Sequence, residues 1–298
     1  MLAPIEEIFC EIDDFCKAYL TEESKYLLPN PNRQRARRCG LAVSEIMTIE
    51  VLFHMSHYRT FKDFYHECVI RHLRCYFPNL VSYNRFIELK QYAIIPLSMF
   101  LLSKSGKETG LYYVDATALK VCHNKRIPRH KVFAGIVERG KTSMGWFFGF
   151  KLHLVMNDCG EIVRFCLTKG NTDDREPLLQ LFKGLQGYAF GDKGYISKEK
   201  EEKLREQGLH LITKVRKNMK TKLLSLWEKF YLGQRNLIET LIDILKNIYQ
   251  IEHSRHRKPD NFLANLLAAL VAYAFRPRKL TVKQPYRIQQ SQYALTSN

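Results

Sequence analysis

Apolar residues at Ile5, Ile8, Phe9, Ile12, Phe15, Cys16 and Tyr19 recur every three or four positions and draw one stripe along a helix. Ser44 ahead of Glu45 to Met55 reads as a capped helix start, Phe61 to Phe77 as a second helix and Ser82 to Lys104 as a third. Pro78 and Asn79 part the last two. Near residue 110 the period changes. Leu111 to Ala116, Phe148 to Met156, Ile162 to Thr168, Gly187 to Phe190 and Leu209 to Lys214 are short apolar or β-branched runs bounded by Gly, Asn and Asp, the pattern of strands. Arg175 to Leu185 and Lys198 to Gln207 read as helices between them, and long helices follow at Leu223 to Tyr249 and Phe262 to Phe275. The order predicts an α/β fold around a mixed sheet, preceded by an all-helical region. The division that follows is a helical domain over 1–108, a sheet domain over 109–275 and a basic tail over 276–298, loosely held because it carries Lys and Arg but no acid.

Composition narrows the class. Of 298 residues 46% are hydrophobic, enough for large cores and too many for a disordered chain. No apolar run approaches the roughly 20 residues of a membrane helix; the best, Ala93 to Leu102, is short and contains Pro96. The acidic start (Glu6, Glu7, Glu11, Asp13) is wrong for an export signal, and the eight scattered cysteines form no C-x2-C pair, so the expected location is the cytoplasm, with reduced thiols and no membrane partner. Lys and Arg number 47 against 30 Asp and Glu, a formal charge of +17. An excess of one sign this large points to a polyanion, nucleic acid first.

Two aspartates stand where strands end. Asp115 follows Tyr112-Tyr113-Val114, and Asp192 follows Tyr188-Ala189-Phe190-Gly191 and precedes Lys193-Gly194-Tyr195. Ligands of open α/β sheets bind at strand ends, so two such carboxylates can converge, although turn capping accounts for their spacing equally well. On the Leu223 to Tyr249 helix, Arg235, Glu239 and Lys246 fall within one narrow arc with Asp243 slightly off it, opposite Leu237, Ile238, Leu241, Ile244, Leu245 and Ile248. By itself such a face is also that of a solvated surface with i, i+4 pairs. Together on one domain of a basic protein, the three features suit phosphodiester cleavage. In-line displacement needs charge neutralised on the attacking and leaving oxygens, and two divalent ions about 3.5–4 Å apart, bridged by carboxylates, do that.

Tyr113-Val114-Asp115-Ala116-Thr117, Gly170-Asn171-Thr172-Asp173-Asp174-Arg175, Gly191-Asp192-Lys193-Gly194-Tyr195 and Arg235-Asn236-Leu237-Ile238-Glu239, in this order, resemble the bacterial DDE insertion-sequence transposases with an RNase H-like catalytic core. The resemblance spans residues 40–275. It implies catalytic, metal-holding roles for Asp115, on the first strand, Asp192, just after the fourth, and Glu239, on a later helix, with two Mg²⁺ ions (Mn²⁺ as substitute) as cofactors. Asp243 competes with Glu239 for the third place. Lys246, seven positions after Glu239, and Arg235, four before it, match the tyrosine-arginine-glutamate-lysine signature of one large branch, which implies phosphate contacts; Tyr231 stands one residue from the signature's tyrosine. The implied partners are double-stranded DNA, as terminal inverted repeats and target, and a homodimer or higher assembly on it, near the nucleoid. A DNA-binding relative without catalysis, or a nuclease that cuts without joining, shares the same features.

The remaining charge is unevenly spread. Lys120 to Lys141 carries Lys120, Lys125, Arg126, Arg129, Lys131, Arg139 and Lys141 against Glu138 alone and inserts between the first two strands: a basic arm to track DNA. Lys193, Arg216, Lys217, Arg255 and Arg257 are further candidate DNA contacts, and the proline-bearing loop before Ser44 carries four positive charges, Arg33, Arg35, Arg37 and Arg38. Asp173 and Asp174, ahead of Arg175-Glu176-Pro177, read as helix capping. His123, His130, His253 and His256 are too sparse for a metal site and are at most polar or phosphate contacts. Ser82-Tyr83-Asn84-Arg85 opens either a plain helix or one that reads DNA.

Overall fold

The computed structural model describes residues 4–26, 40–142, 145–214, 223–252 and 256–282. Four helices come first: α1 (Ile5–Tyr26), α2 (Val43–Met55), α3 (residues 61–72) and α4 (Tyr83–Ser103). The stripe on α1 buries Ile8, Ile12 and Cys16, as its spacing predicts. Ser44 is not the cap of α2. That place falls to Ala42, whose N–H donates to the Glu45 carboxylate at 2.7 Å, and Ser44 instead donates to Asp13 at 2.6 Å, tying α2 to α1. Thr60 and Ser82 do cap α3 and α4 through their hydroxyls. The expected second helix stops at His72 after a π turn over Phe64–Val69, five residues short of Phe77.

α4, at 21 residues, is long and apolar enough to cross a membrane by length and composition, beyond what the Ala93 to Leu102 run suggested. Its Ala93, Leu97, Phe100 and Leu101 are buried within the protein, against α2 and the last helix. Lys90 in its middle is ion-paired in the core with Glu50 of α2, Nζ to Oε1 2.8 Å.

The sheet has six strands: β1 (Leu111–Cys122), β2 (Glu138–Thr142), β3 (Gly145–Asn157), β4 (Ile162–Lys169), β5 (Gly187–Gly191) and β6 (Leu209–Thr213). β1 lies centrally, antiparallel to β3 and parallel to β5, which is parallel to β6. β2 and then β4 line the far edge of β3, both antiparallel. This is the mixed α/β sheet flanked by helices that the resemblance implies. β2 lies within the basic arm expected over Lys120 to Lys141, since Glu-Arg-Gly-Lys-Thr has no apolar alternation to announce a strand; Asp192 therefore follows the fifth strand of the chain, not the fourth.

One face of the sheet, with Tyr113, Leu152, Leu154 and Phe190, packs against α7 (Leu226–Gly233), α8 (Asn236–Asp243) and α9 (Pro259–Ala274), and this core runs on without a break into α1 to α4. The other, with Tyr112, Val114, Val155 and Ala189, packs under the short α5 (Leu178–Leu181) and under α6 (Lys198–Glu206). The long helix expected over Leu223 to Tyr249 breaks at Gly233, restarts at Asn236 and ends in a π turn, Ile244–Ile248. Residues 280–282 are fastened to the β3–β4 turn: Val282 N–H donates to Asp158 O at 2.9 Å, and Gly160 (φ 77°) leaves room for the Leu280 backbone where a Cβ would sit 2.2 Å from its oxygen. The tail from Arg276 is thus anchored at its start; residues 283–298 lie outside the described residues.

Gly149 sits opposite Lys120 in the β1–β3 ladder, and a Cβ on it would fall 1.9 Å from the Leu119 carbonyl oxygen. Gly149→Ala is expected to destabilise by about 1–3 kcal/mol, since backbone rather than a flexible side chain must yield. A urea midpoint unchanged from that of the unsubstituted protein would refute the close approach.

Candidate active site

Parallel pairing of β1 with β5 sets Tyr113 beside Phe190, their rings 5.6 Å apart. Asp115 and Asp192 each lie two residues further on, so strand alternation puts both carboxylates on the same face. Asp192 stands just past the end of β5, as expected, but Asp115 does not end its strand: the ladder with β3 carries β1 on to Cys122, so this carboxylate is held within the sheet. α7 and α8 cover this face: Tyr231 stacks on Phe190 at 5.8 Å, and Ile238 and Leu241 are fully buried. The break between the two helices places Arg235 at the start of α8, where its side chain turns inward. It is 16% exposed, with Nη1 3.6 Å from Asp115 Oδ2, and Nη2 donates to Glu239. Glu239 is half exposed.

Asp115 is 22% exposed and accepts a hydrogen bond from Ala116 N–H at 2.8 Å. Burial pushes its carboxyl up to about 6; the Ala116 N–H and Arg235 oppose that, and the negative charges of Glu239 and Asp192 reinforce it. Of the two acids on α8, it is Glu239 whose charge bears on Asp115. Asp243 is exposed and accepts from Asn247. A carboxyl that ionises at about 6 folded and near 3.8 unfolded holds its proton more tightly in the folded state. Its contribution is therefore present at low pH and lost as pH rises through about 6, reaching a cost of about 3 kcal/mol at pH 8. Asp115→Asn is expected to melt higher than the unsubstituted protein at pH 8 in chelator, with the gap closing by pH 4. Equal melting temperatures at pH 8 would contradict this burial.

The Gly191-Asp192-Lys193-Gly194-Tyr195 loop is shaped by packing. A Cβ at Gly191 would press within 3.1 Å of Val114 and 3.2 Å of the Tyr195 ring, whereas Gly194 faces open space. Tyr195 N–H donates to Asp192 O at 3.0 Å, and its ring is buried, with a hydroxyl that has no hydrogen-bond partner among the described residues. Burial, then the charges of Asp115, Asp174 and Asp192, hold that hydroxyl far above its usual ionisation range. The sequence shows Tyr195 as a member of this loop but gives it no role of its own. The signal was an aromatic three positions after the loop's aspartate, which a folded loop must place somewhere. Asp174 was read as a cap and is not one: Lys151 Nζ donates to it at 2.9 Å and to Thr172 O at 2.8 Å, locking the Gly170 to Arg175 loop beneath the site. Asp173 does shape the local turn, accepting from Arg175 N–H at 2.9 Å. The expected helix there shrinks to Leu178–Leu181.

The candidate DNA contacts scatter. Lys193 is exposed beside Asp192; Lys120, Arg126, Arg129 and Lys131 are exposed on and after the end of β1. Lys246 is committed to the protein, donating to Ala118 O at 2.8 Å and pairing with Glu252 at 3.4 Å. Arg257 is exposed, and its charge bears on Tyr83 of α4. Arg33, Arg35, Arg37, Arg38, Arg216, Lys217, His253 and Arg255 lie outside the described residues. His256 is no phosphate contact: it is largely buried, its ring 5.8 Å from that of Phe262, and burial pushes its ionisation down to about 3.

Among the described residues no three His, Cys, Asp or Glu side chains stand close enough to hold a metal ion together. The acids nonetheless fit one in kind, being hard oxygen donors whose mutual repulsion a cation relieves; in this structure the Arg235 guanidinium takes that part.

A family model described as a transposase DDE domain matches residues 105–259, from just before β1 to the first residue of α9, over half of the chain. The protein belongs to this family: it is a DDE-type transposase with an RNase H-like α/β sheet. DNA is the substrate its family implies, and divalent metals are what the family generally uses. No curated protein and no solved structure matches the chain.

Proposed function

We propose that this chain is the transposase of an insertion sequence, cutting DNA at the ends of its element and joining the freed 3′-OH to target DNA. The observation that carries the reading is that Asp115 on β1 and Asp192 just past the parallel β5 follow the Tyr113–Phe190 pair, with the charges of Asp192 and Glu239 both near enough to act on Asp115. These three would hold two Mg²⁺ ions, or Mn²⁺, once Arg235 gives up its place between Asp115 and Glu239. Such a pair of ions neutralises charge on the attacking and leaving oxygens of the displaced phosphate. The chain's own part is to bind and orient. Lys193 meets the phosphate at the cut, Lys120, Arg126, Arg129 and Lys131 follow the backbone away from it, and Arg257, with Arg216, Lys217 and Arg255, adds further contacts. Lys246 works indirectly, clamping the glutamate helix to the β1 backbone.

Residues 1–108 would recognise the terminal repeats and pair two or more protomers, 109–275 perform the chemistry and 276–298 add basic charge, all at the nucleoid in the cytoplasm. The test uses purified protein, a duplex carrying the inverted repeats that flank the coding region, and a supercoiled target plasmid. Mg²⁺-dependent nicks at the repeat ends followed by joined products are expected. Cutting without joining would reduce the reading to a nuclease, and binding without cutting to a DNA-binding protein.

A further inference from the structure

The chain has two tryptophans, and they live in opposite surroundings. Trp227 packs into an aromatic cluster, 4.7 Å from both Tyr188 and Tyr231. Trp146, at the start of β3, is 58% exposed. Alternation along β3 puts Phe150, Phe148 and Trp146 in one row on the Asp115 face. Phe150 is buried on Phe262 at 5.1 Å, Phe148 is half buried beside His130 at 6.1 Å, and Trp146 is where the row leaves the core.

Its surroundings are cationic. The cross-strand partner of Trp146 is Lys141, whose Nζ lies over the indole 5.6 Å from its centroid. Arg139, two residues before Lys141 and so on the same face, is exposed. Asn124 donates to Trp146 O at 2.8 Å, fastening to the strand a 3₁₀ turn, Asn124–Arg129, on which Lys125, Arg126 and Arg129 are exposed. Five exposed cations thus lie on the strand and the turn that adjoin one large flat apolar ring, one of them directly over it. Glu138, the acid of β2, alternates to the other face and stands 3.9 Å from Lys169. An indole exposed at this cost, among charges that repel one another, suits a ligand that is both anionic and flat.

We propose that Trp146 is a base-stacking site for an unpaired nucleobase of the DNA, with Arg139 and Lys141 on the flanking phosphates. Lys141 covers one side of the indole, and the base takes the other. Leu154 lies opposite Asp115, so Trp146, eight residues away at about 3.3 Å each, stands about 26 Å further along the strand direction than that residue. That is roughly eight base pairs of duplex at 3.4 Å per step, so one DNA can reach both. The inference rests on the reading of the protein as a DNA-cutting enzyme and adds to it a place where strands come apart.

The test is direct, because Trp227→Phe leaves Trp146 as the sole indole emitter. Titration without divalent metal compares a blunt duplex, the same duplex with an unpaired overhang, and a single strand. Quenching by the overhang and the single strand, and much less by the blunt duplex, is expected. In label anisotropy with Trp227 intact, Trp146→Ala should weaken binding of unpaired DNA by about 5- to 150-fold, leave the blunt duplex within about twofold, and be largely rescued by Trp146→Phe. Equal affinity of Trp146→Ala and the unsubstituted protein for overhang DNA overturns the proposal. So does an equal loss on blunt and unpaired DNA, or Trp146 emission that shifts with protein concentration alone, which marks a second copy on the ring. Failure of the unsubstituted protein to bind any of the three DNAs would instead sink the DNA-cutting reading itself.

Discussion

Replacing Asp115, Asp192 or Glu239 by alanine, one at a time, is expected to lower strand cleavage at least about a thousand-fold. An in-line displacement that loses a carboxylate of its metal site gives up several kcal/mol of charge stabilisation at the reacting oxygens. Affinity for the same DNA should stay within a few-fold, or rise, since each change removes a negative charge from a basic surface. The parallel register makes a further demand: Asp115 and Asp192 should be equally indispensable, because they sit on different strands and neither can stand in for the other. Asp243→Ala should retain most activity, its side chain being exposed and engaged with Asn247. Gel assays of end cleavage with Mg²⁺ decide the matter. A Glu239→Ala protein that still cuts, beside an Asp243→Ala protein that does not, would move the third ligand one turn along the helix. Arg235→Ala separates the two parts of that helix face, because freeing Asp115 and Glu239 from the guanidinium should raise metal affinity while removing a cation from the site.

Lys90→Met is expected to cost about 3–5 kcal/mol of stability, the largest effect of any single change outside the site. Lys90 and Glu50 are 3% and 1% exposed, and Lys90 also lies over the Phe61 ring, Nζ 4.4 Å from its centroid. Burial raises the Glu50 carboxyl above its ordinary range, and Lys90 is what opposes that, so without the lysine an uncompensated charge stays in the core. Removing both charges together, as Glu50→Gln with Lys90→Met, should recover much of the loss. The same cluster links the helical region to the active-site helix. One turn along α2 from Glu50, the buried His54 donates from Nδ1 to the carbonyl of Tyr249, at the end of the π turn that follows α8, at 2.6 Å. A loss below 1 kcal/mol in denaturant melts of Lys90→Met would show that solvent or a shifted side chain satisfies Glu50 instead.

Much of the architecture was legible from period alone. The 3.6-residue stripe of α1, the β-branched runs of β3 and β4 and the apolar run of α9 leave few other ways to bury their side chains. β2 escaped notice because an edge strand of Glu-Arg-Gly-Lys-Thr is held by its backbone ladder to β3; its Gly140 answers to the approach of the Gly170 carbonyl, which no local pattern announces. The break at Gly233 to Arg235 was hidden for a related reason: the apolar spacing continues through it, so one helix and two read alike. Arg235 was legible as a charge on a helix face, but not as a side chain turned in between two carboxylates.

The sequence by itself determined the inventory: a large positive charge, two acids that terminate apolar runs, a glutamate on an amphipathic helix and an arm rich in Lys and Arg. Those follow from residue types and their spacing, which are local properties. Only the tertiary structure decided which of these groups meet. The β1–β5 register sets Asp115 beside Asp192, the inward turn of Arg235 ties both Asp115 and Glu239, and the packing of Tyr195 against Gly191 brings a buried hydroxyl under the same charges. The reason is physical. Strand pairing and burial act between residues far apart in the chain, and the electrostatic shift of Asp115 exists only once solvent is excluded and the distant charges are close.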